Sequence, residues 1–124
     1  MEALAYYDGK IGTPEELMVP FNDRVHFFGD GVYDAGPCRN YHIFAIDEHI
    51  DRFFNSAALL DIVMPVNKQE LRDLLNKLVQ QVDTGKEIGA VHVVAADQGI
   101  HGDLGQRQEV LRHGLLAVVI CRTE

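Results

Sequence analysis

The sequence predicts an α+β fold, a mixed or antiparallel sheet with two main helices packed on it, on three observations. Short runs rich in aromatic or β-branched residues stand at Ala3–Tyr7, Ala90–Ala95 and Leu115–Cys121. Between the first two of these lie two amphipathic stretches with helical spacing. Strands and helices do not alternate in the strict βαβ order of a doubly wound sheet. With 124 residues, 47% of them hydrophobic, the chain reads as one domain spanning 1–124 that buries roughly two-thirds of its unfolded surface.

The chain opens on a hairpin, because Asp8-Gly9 is a strong two-residue turn signal between Ala3–Tyr7 and Lys10-Ile11. Leu17-Met18-Val19 reads as a short strand ended by Pro20, whose missing N–H suits a sheet edge. Gly29 and Gly31 bracket Asp30 and permit a tight turn ahead of Val32-Tyr33. A further turn, at Gly36-Pro37 or at Arg39-Asn40, precedes an apolar run from Tyr41 to Ile46.

Asp47 is placed to cap a helix from Glu48 to about Leu60, with Ile46, Ile50, Phe53, Ala57 and Leu60 as its buried stripe. Asn67 and Glu70 form a capping box for a second helix, whose stripe is Leu71, Leu74, Leu75, Leu78, Val79 and Val82 and whose stop is Asp83-Thr84-Gly85. Ala90–Ala95 reads as a strand buried on both faces. Gln98–Gly105 reads as a loop, Gln106–His113 as two helical turns stopped by Gly114, and Leu115–Cys121 as the last strand.

Composition excludes several classes. The net charge is −8 and the 11 basic residues are scattered without a run, which argues against nucleic acid as a partner. The longest nearly apolar run, Gly114–Cys121, is far shorter than the ~20 residues that cross a bilayer. No membrane association is expected, and the opening Met1-Glu2 without a basic segment points to a cytoplasmic protein. Cys38 and Cys121 lack metal-ligand spacing and read as reduced, semi-buried thiols.

Two residues stand out for chemistry. Arg52 falls beside the buried stripe of the first helix, a turn from His49 and Ser56. There it serves either as a surface salt-bridge partner of Asp51 and Glu48 or as an anion receptor, for which a permanently charged planar guanidinium is suited. Tyr33 follows the glycine-bracketed turn, where its phenol either packs as a core aromatic or donates to a carboxylate. Asp23 and Arg24 read as a pair that fixes the approach to Phe27 and Phe28, which look like core anchors. His26, Arg39 and His42 lie near in sequence and read first as surface or satisfied core residues. A rival constellation, His92, Asp97, His101, Asp103 and His113, invites a metal-site reading, but it contains no HxH, HxxxH or HExxH spacing, so no metal is expected.

Asn22-Asp23-Arg24-Val25-His26-Phe27-Phe28-Gly29-Asp30-Gly31-Val32-Tyr33, followed by Ile46-Asp47-Glu48-His49-Ile50-Asp51-Arg52, resembles the N-terminal part of the fold-type IV, pyridoxal-phosphate-dependent aminotransferases of the D-amino acid and branched-chain groups. The Tyr-Asp-Gly-Lys hairpin, Asn55-Ser56-Ala57 and the leucine-rich second helix extend the likeness from about Tyr6 to Val82, and it thins beyond Gly85.

The resemblance implies pyridoxal phosphate as cofactor, with Arg52 on its phosphate and Tyr33 on the substrate carboxylate. It also implies amino acid and 2-oxo acid substrates, and an apolar surface left without its partner domain points to a homodimer or higher self-association. The family's substrate-binding arginine loop has no counterpart in Val91–Gly99. Its Schiff-base lysine matches none of Lys10, Lys68, Lys77 and Lys86, so no catalytic residue is assigned. An enzyme fragment inactive by itself is the first expectation, and a non-enzymatic, self-associating module derived from such a domain is the second.

Overall fold

The computed structural model describes residues 1–85, 87–101 and 111–122, with side chains at 1–85, 87–97 and 114–122. Its sheet has six antiparallel strands in the order β2-β1-β6-β5-β3-β4. The predicted α+β class and the packing of two main helices are borne out, and the sheet is antiparallel throughout.

β1 (Ala3–Tyr7) and β2 (Lys10–Gly12) form the expected hairpin. Asp8 and Gly9 both take positive φ, 47° and 86°, the twist that a two-residue hairpin requires. The expected strand at Leu17–Val19 is not formed, and Met18 and Val19 are exposed. Instead, a short helix α1 (Arg24–Phe28) precedes the third strand. Asp23 caps it by accepting from the Val25 amide, and Gly29 ends it at φ 67°. Arg24 therefore pairs with Asp30 rather than Asp23, and Phe27 and Phe28 are exposed, not core anchors.

β3 (Gly31–Arg39) runs through Gly36-Pro37 without turning. The turn lies at Asn40-Tyr41, both at positive φ, and returns into the two-residue β4 (His42–Ile43). Buried Thr84 clasps this turn, its hydroxyl accepting from the Tyr41 amide and its carbonyl from the Asn40 amide. Part of the segment expected to stop the second helix thus ties helix exit to hairpin.

α2 (Ile46–Leu59) starts two residues before the expected position, with Ala45 at its N-cap in a left-handed conformation. Asp47 does not cap it; with Glu48 it occupies the first turn, where acids complement the helix dipole, and it pairs with Arg72 of α3. Ile50, Phe53 and Ala57 are buried as expected, whereas Leu60 ends up at the exposed C-cap. α3 (Lys68–Val79) has the predicted capping box, with Asn67 accepting from the Glu70 amide and Glu70 from the Asn67 amide. Leu71, Leu75, Leu78, Val79 and Val82 are all buried, and Leu74 packs partly against them.

β5 (Gly89–His101) and β6 (Leu111–Arg122) are long central strands. The segment from 98 to 101, expected as loop, continues β5, and 111–113, expected as helix, belongs to β6. The expected helix at 106–110 and loop at 102–105 lie outside the described residues. Val91, Val93 and Ala95 are buried under the helices while His92 and Val94 are half-buried on the other face, so β5 is one-sided there, not buried on both faces. The core joins these residues to Leu116, Val118 and Ile120 and to α2 and α3.

Gly114, expected as a helix stop, sits inside β6 with the Val63 carbonyl packed where a Cβ would stand. Gly114→Ala must push that backbone away and is expected to destabilise the protein by about 1 to 3 kcal/mol. Urea unfolding checks this as a lowered midpoint at unchanged slope.

Candidate functional site

Along β3, successive side chains alternate between the two sheet faces. Asp34 is level with Val93, which faces the helices, and Tyr33 is level with Val94 on the opposite face. β4 pairs only with Cys38 and Arg39, so at Tyr33 and Asp34 the strand is the sheet edge among the described residues. The two faces meet at that edge.

On the helix side, α2 presents His49 and Arg52, one turn apart, to Asp34. Arg52 donates from Nε and Nη2 to the carboxylate at 2.6 and 2.8 Å, a bidentate pair. His49 Nδ1 lies 2.9 Å from Asp34 Oδ1 and 3.1 Å from Arg52 Nη2. We assign the ring proton to Nδ1, because a buried carboxylate between two donors satisfies both, whereas an unprotonated Nδ1 would face its lone pair toward Oδ1. The imidazole rests on Gly36, where a Cβ would come within 2.6 Å of Nε2, so glycine at this position admits the ring.

Only 3% of the Asp34 side chain is exposed, against 64% of Arg52. The Arg52 hydrogen bonds hold the Asp34 carboxyl below its ordinary value; burial opposes them and the His49 bond assists. Arg52 is held further toward its charged form by the same bonds. Its Nε/Nη2 edge is used by Asp34, which leaves Nη1 and the outer proton of Nη2 for an anion. Arg52 is thus anchored on one edge with donors left over, and a planar guanidinium can meet an anion with two parallel hydrogen bonds.

On the opposite face, Tyr33 is 58% exposed and its Oη lies 2.7 Å from His92 Nδ1, the two rings stacking at 28°. Arg39 is six residues further along β3, about 20 Å away in an extended strand, and His42 is its exposed cross-strand partner. Exposed His26 belongs to α1, its ring tilted against Phe21 and edge-on to Phe27. None of these three joins Arg52 or Tyr33 in a contact pair, and no group of metal-ligating residues occurs among the described residues. His92 and Asp97 lie on opposite faces of β5, and the side chains of His101, Asp103 and His113 are outside the described residues. Both cysteines are free thiols, Cys38 buried and pushed up in pKa by that burial.

Asp34 was not legible as a site residue. The available signal was a lone acid in the apolar run of a strand, opposite a helix carrying His and Arg three residues apart.

Comparison with known proteins agrees with this frame. The family described as Amino-transferase class IV matches residues 31–110, and the chain belongs to it. D-alanine aminotransferase from Listeria monocytogenes (strain 10403S) is 47% identical over 73 residues, covering 57% of this chain and 25% of the relative. The same enzyme of Staphylococcus aureus (strain N315) is 35% identical over 82 residues, covering 64% and 29%. This chain therefore spans between a quarter and a third of the length of the curated relatives it matches.

Among solved structures, an aminotransferase from Brucella abortus bound to the cofactor PLP superposes with a TM-score of 0.80 at 14% identity, over 100% of this chain and 43% of that one. A branched-chain aminotransferase from the thermophilic archaeon Thermoproteus uzoniensis, with norvaline, reaches 0.77 at 19% identity, over 100% and 42%. These likenesses establish the fold. No helix is long and apolar enough to cross a membrane among the described residues.

The depressed Asp34 pKa gives a signed expectation. Stability from this cluster is present above the ordinary carboxyl value of 3.8 and is lost as pH falls from there through the lower folded-state value. Asp34→Asn is expected to lower stability at neutral pH by about 2 kcal/mol and to flatten the acid limb of Tm against pH. An unchanged acid limb in calorimetric scans would show that Asp34 is not the group responsible.

Proposed function

We propose that this chain supplies the cofactor-phosphate and substrate-carboxylate contacts of a pyridoxal-phosphate-dependent aminotransferase acting on amino acids and 2-oxo acids. The observation that carries the reading is Arg52, anchored by Asp34 on one edge and exposed on the other. The 47% identity to a D-alanine aminotransferase favours the D-amino acid branch over the branched-chain structure at 19%.

Pyridoxal phosphate, when bound, supplies the electron sink for exchanging amino and keto groups. Arg52 would grip its phosphate, and Asp34 and His49 hold the guanidinium so that little rotamer freedom remains to be lost. Tyr33, across the open edge of β3, would contact the substrate carboxylate. Catalysis also needs a lysine at the cofactor aldehyde. Lys10 lies in β2, Lys68 pairs with Asp51 from the start of α3 and Lys77 lies in the last turn of α3. Lys86 lies outside the described residues.

Arg52→Gln should weaken binding of pyridoxamine phosphate, followed by its fluorescence, about ten- to a hundredfold, as expected for a lost charge-assisted pair; equal affinity would remove Arg52 from the phosphate. The 124-residue chain, incubated with pyridoxal phosphate and gel-filtered, should retain no visible absorbance band and transfer no amino group from D-alanine; a retained band overturns this.

A second reading, self-association, rests on the exposed aromatic cluster of Phe21, Phe27 and Phe28 and on exposed Met18. Light scattering distinguishes it: a monomer at high concentration removes it.

A further inference from the structure

The geometry points to Tyr33 and His92 as a two-residue carboxylate receptor in which the imidazole decides whether the phenol can donate. This rests on the reading of Tyr33 as the substrate contact and assigns a role to His92 that the sequence motifs do not contain.

A phenol has one proton. Its oxygen is 2.7 Å from His92 Nδ1, so a proton lies between them, and it belongs either to the tyrosine or to the histidine. If Nδ1 is bare, the Tyr33 hydroxyl donates to it and presents only lone pairs outward, which repel a carboxylate. If Nδ1 carries the proton, it donates to Tyr33 Oη, and the phenolic O–H is free to donate to a ligand. A carboxylate therefore selects the state with a protonated Nδ1. The cationic imidazole is the strongest form of that state, adding charge attraction.

The surroundings suit such a switch. His92 is level with Ala35 on β3 and Val119 on β6, both apolar. By strand register, the titratable or charged groups sharing this face are Tyr33 and Arg39 on β3, His42 on β4, Cys121 on β6, Tyr7 on β1 and Lys10 on β2. Asp23 and His26, at and in α1, line a hollow on the same side with Tyr7 and Val94. Of these, Tyr33 is the one hydrogen-bonded to the imidazole. His92 lies in β5, beside Tyr33.

Carboxylate binding should then tighten as the imidazole gains its proton on acidification, until the ligand itself protonates. The test uses the 124-residue chain and propionate, followed by ¹⁵N and ¹H shifts of the His92 ring and of Tyr33 across about pH 5.5 to 8. Saturation should place a proton on Nδ1. His92→Phe and Tyr33→Phe should each weaken propionate about tenfold or more. His92→Asn, whose amide N–H can replace the Nδ1 donor without titrating, should retain binding and lose its pH dependence.

If Tyr33→Phe leaves the affinity unchanged, the reading of Tyr33 as carboxylate contact fails. If Tyr33→Phe weakens binding while His92→Phe does not, that reading stands and the role of His92 is overturned. No saturable binding by the wild-type chain, or equal binding at both pH limits, overturns the receptor itself.

Discussion

A buried carboxylate between a sheet and a helix is the constraint on which the candidate site depends. Asp34 sits where the period of β3 would otherwise place an apolar residue, level with Val93 and beneath α2. An uncompensated charge there would cost several kcal/mol. α2 supplies the compensation from its own face, His49 and Arg52 one turn apart and both within hydrogen-bond reach. That requirement fixes the rotation of α2 as firmly as burial of Ile50, Phe53 and Ala57 does, and Gly36 is the space that lets the imidazole approach. The outcome is a guanidinium both immobilised and exposed.

Strand alternation then divides the work. Adjacent residues of β3 serve opposite faces, so the groups read as phosphate and substrate contacts do not cluster. They flank one open strand edge, because β4 is only two residues long and reaches no further than Cys38 and Arg39. Thr84, clasping the Asn40-Tyr41 turn, holds β4 at the far end of β3.

Much of the architecture was legible because it depends on local chemistry. Asp8-Gly9 specifies a turn by itself, Asn67 and Glu70 specify a helix start by themselves, and the leucine stripe of α3 specifies its buried face. The errors fall where a distant partner overrode a local signal. Gly114 looks like a helix stop, but β5 and β1 recruit its segment into the sheet and the Val63 carbonyl needs its bare Cα. Asp47 looks like a cap, but Arg72 of α3 attracts it. Phe27 and Phe28 look like core, but α1 is a single short turn with no buried residue.

Residues close together in the chain were enough to assign the family, the class of fold and the two candidate contacts, Arg52 and Tyr33. What those contacts rest on was settled by packing in three dimensions. Asp34 lies 18 positions before Arg52 and His92 lies 59 after Tyr33, and no local pattern links either pair. They meet because strand register and the rotation of α2 bring them together, and hydrogen bonds of 2.6 to 2.8 Å form only once the sheet and helix have packed.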